Sequence, residues 1–177
     1  MTKILKKWEI AGFFFVVALG TLGHFLYDLT GQNEIIGKFF ATNESTWEHL
    51  KLLFFPYVVF MIIEWFFIGK NYKGFVFSKL VGVLSGLVLI VVLFYTYTGV
   101  LGQNVDFLNI AIFVIAAAFS FYISYRLLSG GIRVTLTLPS LIAFIVIAVL
   151  FVTFTTNPPR INLFKDPVTG SYGTQKQ

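Results

Sequence analysis

The sequence predicts an all-α integral membrane bundle of five transmembrane helices with an ordered C-terminal tail, and three observations carry that prediction. The 177 residues are 57% hydrophobic and only 12% charged, whereas water-soluble domains hold about a quarter charged residues. Five apolar runs reach the roughly 20 residues that a helix needs to cross hydrocarbon. Between them stand turn-forming residues, so the runs are separate elements. Each must be helical, because an open sheet leaves backbone groups unsatisfied in lipid. The 22 phenylalanines and the mean hydropathy of +0.84 fit a solvent that accepts apolar side chains on the outside as well as the inside.

The first run, 8–29, follows Lys3, Lys6 and Lys7, as the core of a secretory signal would. It is too long for one and lacks small-residue cleavage chemistry behind it, so a retained helix is expected. The other spans are 47–68, 75–101, 107–128 and 139–156. Gly31 to Asn33, Gly69 to Gly74, Gly102 to Asn104, Gly130-Gly131 and Asn157-Pro158-Pro159 connect or end them. No repeat or separate soluble unit is visible, and residues 1–177 read as one transmembrane domain. Gly82, Ser85 and Gly86 in the third span, with Ala116 to Ala118 and Ser120 in the fourth, form small faces suited to close helix packing. Pro56 should kink the second span, free a carbonyl and widen a cavity above Glu64. In the tail, 157–177, turn formers alternate with Ile161, Leu163, Phe164 and Tyr172. Such anchors predict a segment folded over the outer face, covering the polar groups there as a lid.

Lysine and arginine near helix ends favour the cytoplasmic side. Lys3, Lys6, Lys7, Lys70, Lys73, Lys79, Arg126 and Arg133 fall on one side, leaving Lys38, Lys51, Arg160, Lys165 and Lys176 on the other. A multi-pass cell-membrane protein with its N-terminus cytoplasmic and its C-terminus extracytoplasmic is expected. The net charge of +5 is scattered over helix ends, which excludes a nucleic-acid surface. Membrane lipids are the expected partners, together with an amphipathic small-molecule substrate. The absence of cysteine excludes disulfides, thiolate metal sites and a cysteine nucleophile.

Polar chemistry gathers at the outer ends of the first two spans. His24 and Asp28 lie four apart on one helical face, where the carboxylate can orient the imidazole. The stretch Asn43 to Lys51 holds Glu44, Glu48 and His49. Part of it has a plain structural reading: Ser45 and Glu48 as a capping box, Trp47 as an interfacial aromatic, Lys51 as a snorkelling side chain. The chemical reading brings His24, Asp28, Glu44, Glu48 and His49 together as catalytic residues, since a short loop makes the two helices antiparallel neighbours. Of these, His24, Asp28, Glu44 and His49 could ligate zinc or another divalent metal. Acid–base chemistry without metal and a purely structural network remain open. Glu64 lies within an apolar span and marks a functional position by default; the structural reading is a salt bridge, with Lys79 and Arg126 at comparable depth and Glu9 opening the first span, or a protonated glutamate. Asp106, opening the fourth span, complements the helix dipole.

The stretches Gly23-His24-Phe25-Leu26-Tyr27-Asp28, Asn43 through Lys51 and Asp166 to Gly173 resemble a family of small prokaryotic multi-pass membrane proteins with no assigned function, over essentially the whole chain. That resemblance implies a membrane fold and no activity. Locally, Glu44 through Trp47-Glu48-His49-Leu50 is similar to a motif of the adiponectin and progestin receptor superfamily, which includes zinc-containing membrane hydrolases. The glutamate-to-tryptophan spacing is shorter here, and no later histidine pair follows His49. The expected function is a membrane-embedded, metal-dependent hydrolase acting on a lipid or amphipathic substrate at the extracytoplasmic side. The alternatives are a transporter, channel or binding subunit for a small solute or cation, and a structural subunit of a membrane complex.

Overall fold

Lysine is a good helix former, and the first helix begins well before its apolar run. In the computed structural model, which describes residues 2–131 and 136–174, α1 spans Thr2–Leu29 rather than starting at Trp8. Arg133 and Lys176, used above for orientation, lie outside the described residues, as does the end of the tail. A short helix, α2 (Glu34–Phe39), stands where the sequence predicts only a loop. Asn33 caps it, accepting from the Ile35 and Ile36 amides at 2.9 and 3.3 Å. Then follow α3 (Thr46–Phe67), α4 (Phe75–Leu101), α5 (Asp106–Ser129) and α6 (Thr137–Thr156). All but α2 are long and apolar enough to cross a membrane.

The most apolar windows of α3 and α4 are 56% and 50% buried, against 22% for α1 and 17% for α6, so α3 and α4 form the centre and the others flank it. Phe14, Leu22, Phe66, Val88 and Ile145 point outward, an arrangement that lipid accepts and water does not. The expected small-residue seam lies between α4 and α5. A Cβ on Gly82 would stand 2.6 Å from the Ser120 carbonyl oxygen, and one on Gly86 would overlap the Ser120 hydroxyl. Backbone therefore meets backbone across this seam.

Pro56 lies inside a continuous α3 and has no N–H to offer the Leu52 carbonyl. Gly20 of α1 packs there: a Cβ at Gly20 would come within 2.6 Å of that oxygen. The freed carbonyl is thus covered by a close approach of α1. Two turns before Glu64, where a cavity was expected, Tyr57 is fully buried with its ring 4.7 Å from that of Phe121.

The tail crosses the N-terminal end of α3 and the C-terminal end of α6. A 3₁₀ turn, Asn162–Phe164, seats Phe164 with its ring 4.7 Å from that of Trp47, which also packs on Phe151 at 4.6 Å. Thr174 N donates to the Thr155 carbonyl at 3.0 Å, and the Asn43 amide donates to the Gly173 carbonyl at 3.2 Å.

The α4–α5 seam makes a direct prediction. Gly82→Ala should lower the stability of the detergent-solubilised protein by about 1–3 kcal/mol, the usual cost of overpacking. Gly99→Ala, where a Cβ meets nothing within 4 Å, should leave the thermal midpoint nearly unchanged.

Candidate functional site

The polar stretch before α3 divides into two sets of side chains with different fates. Ser45 caps α3 by accepting from the Glu48 amide at 3.4 Å, and Asn43 Oδ1 accepts from the Ser45 amide at 2.9 Å. With that amide taken, Glu48 does not complete a capping box. Its carboxylate turns into the bundle and accepts from the Thr42 amide and hydroxyl, both at 3.0 Å, and from the Thr155 hydroxyl at 3.1 Å. Lys51 Nζ lies 2.6 Å from Glu48 Oε2 and donates to the Gly37 carbonyl at 2.7 Å and Thr155 Oγ1 at 2.9 Å. Lys51 is fully buried and does not snorkel. This set is neutral and well bonded, and it holds Glu48 away from the histidines. Thr42 and Thr155 give no sequence signal of this role, since each is an ordinary threonine near a helix end.

The second set comprises His24 of α1, Glu44 of the loop and His49 in the first turn of α3. The two Nε2 atoms are 3.1 Å apart, and Glu44 Oε2 lies 3.4 Å from that of His49 and 3.7 Å from that of His24. Gly23 makes this meeting possible: a side chain there would strike the Phe40 ring, so its absence lets the loop close on α1 beside His24. His49 Nδ1 is 2.9 Å from the Ser45 carbonyl oxygen. A carbonyl only accepts, so Nδ1 carries the hydrogen and, in the neutral ring, Nε2 turns its lone pair toward Glu44 and His24.

Three potential donor atoms thus converge with separations of 3.1, 3.4 and 3.7 Å. Ligands held tetrahedrally at about 2.0–2.1 Å from an ion stand about 3.3–3.4 Å apart, so the triangle has the dimensions of a divalent-metal site. Two imidazoles and one carboxylate are also a donor set of catalytic zinc centres, which keep a fourth position open. All three side chains are partly exposed, leaving such a position accessible. The other two predicted site residues are not part of the triangle. Glu48 is sequestered as described. Asp28, one turn beyond His24, is exposed and makes no ion pair among the described residues.

Glu44 shows the electrostatics of the group. The His24 imidazole beside it holds its carboxyl below the ordinary carboxylate range, against the upward push of partial burial and with help from His49. A carboxyl lowered by folding contributes stability above its unfolded value, about 4.3, and that contribution disappears as pH falls through the lower folded value. Metal-free protein should therefore lose stability below about pH 4.3, and Glu44→Gln should lose less over the same window when helicity is followed by circular dichroism.

No curated protein and no solved structure matches the chain. A family model covers nearly all of it, residues 1–174. On that match the chain belongs to DUF6512, a family of unknown function.

Proposed function

We propose that this protein is a membrane-embedded hydrolase that holds a divalent metal, zinc in the first instance, on His24, Glu44 and His49, and that it acts on a lipid or similarly amphipathic substrate at the extracytoplasmic face. The observation that carries this reading is the inward convergence of two imidazole nitrogens and one carboxylate oxygen at 3.1–3.7 Å. A divalent ion there would polarise an ester or amide carbonyl and bring the pKa of a water molecule to about 7.

The chain's own groups have distinct parts. The Ser45 carbonyl fixes the tautomer and the ring of His49, as outer partners of metal-ligating histidines do. Asp28, exposed one turn beyond His24, would accept a proton from an attacking water. Leu22, Phe25 and Leu29 are exposed on α1 around His24, an apolar strip along which an acyl chain can lie while its polar head meets the three donors. The local likeness to the receptor superfamily that includes zinc hydrolases points to the same chemistry. Here His24, from the preceding helix, supplies the second imidazole that the missing downstream pair cannot.

Metal analysis and zinc titration of the purified protein test the reading. Wild type should bind about one zinc ion per chain. His24→Ala and His49→Ala should each weaken binding by more than the roughly 10–100-fold that loss of an outer-shell partner costs, and should abolish lipid hydrolysis. Asp28→Asn should keep the metal and slow turnover by about 10²–10⁴-fold. Affinity should fall as the solution is acidified, because imidazole and carboxylate bind a metal only in their deprotonated forms. Unchanged zinc content in the double histidine variant would rule the proposal out.

A further inference from the structure

At the other end of the same two helices lies a second charged centre, independent of the metal reading. Glu9 precedes His24 by 15 residues on α1, and Glu64 follows His49 by 15 on α3, which puts this centre about 22 Å away. Lys79 Nζ of α4 sits between the two carboxylates, 2.9 Å from Glu9 and 2.6 Å from Glu64. Glu9 is 4% exposed, while Glu64 and Lys79 are fully buried.

Charge balance is the point. Two carboxylates and one ammonium leave one negative charge in a low-dielectric interior, where an unpaired charge is strongly disfavoured. Among the described residues, the surrounding elements supply no second cation. From α3 comes Tyr57, from α5 Ser124, and from the turn after α3 Tyr72, which feels the Glu64 charge. Arg126 of α5 turns outward to the Tyr122 hydroxyl at 3.1 Å.

The two carboxylates differ in their support. Glu9 has both the Lys79 ammonium and a hydrogen bond from Ser124 Oγ at 2.8 Å. Among the described residues Glu64 has only Lys79, on Oε2; its Oε1 has no hydrogen-bond partner there, and the fully buried Ser78 hydroxyl is likewise unpaired. We propose that this centre is a proton-binding site, taking up one exchangeable proton from solvent and holding it on the Glu64 carboxyl. A metal cation fits less well, because the ammonium already occupies the space between the carboxylates and the rings of Tyr57, Phe75 and Phe121 wall it at 5.3–5.8 Å. Protonation makes the centre neutral; release restores a buried negative charge among α1, α3 and α4. Proton occupancy is thereby tied to how tightly these helices pack.

Infrared spectroscopy of the full-length protein in detergent at neutral pH, with exchange into heavy water, tests this through the carbonyl stretch of a protonated carboxyl. Wild type should show the band. Glu64→Gln should lose it, and so should Glu9→Gln, because Glu64 and Lys79 then balance each other. Lys79→Met, which leaves two carboxyls without a counter-ion, should raise it to about twice the wild-type intensity. Absence of the band in wild type overturns the proposal without reference to any variant. Persistence of the band in Glu64→Gln or Glu9→Gln overturns it as well, as does its disappearance when sodium is added at constant pH.

Discussion

Burying Glu48 against Lys51 removes two charges from water, and such a pair is tolerable only when its remaining donors and acceptors find partners. Those partners come from three other segments: Thr42 in the loop, Gly37 in α2 and Thr155 near the end of α6. The requirement that this one pair be satisfied draws three pieces of chain to the N-terminal turn of α3. Glu44 rides on the loop so fixed. The geometry of the partly exposed donors therefore derives from a buried interaction that does no chemistry itself.

The first turn of α3 accordingly has two working faces. His49 and Lys51 are two residues apart, about 200° around a helix, so one points to α1 while the other points into the bundle. Ser45 serves both faces: its hydroxyl caps the helix, and its carbonyl holds the His49 ring. The tail adds mass behind this turn through Phe164 and Trp47. Its described hydrogen bonds to the body of the bundle run to Asn43 and Thr155 rather than to the imidazoles.

Much of this was legible beforehand because hydrocarbon imposes a simple length rule, and the five long apolar runs obey it. His24 and His49 also stood out, as imidazoles at the ends of apolar helices that a short loop must make neighbours. The sequence could not separate Glu44 from Glu48. Two carboxylates four residues apart in one polar stretch look equivalent until Asn43 takes the Ser45 amide and Thr155, more than 100 residues away, receives one of them. Lys51 posed the same difficulty, since snorkelling and burial differ only by partners remote in sequence. Helix α2 was hidden because six residues are too few to show a helical period. Asp28 shares a helix with His24, but spacing along α1 says nothing about what the loop brings up beside each.

The contact of Gly20 with the carbonyl that Pro56 leaves free lies between the two polar ends of α1. It is four residues from His24 and 11 from Glu9, or about 6 Å and 16 Å along the axis. Because no side chain cushions this point, a methyl group at Gly20 would wedge α1 away from α3 between its two polar ends.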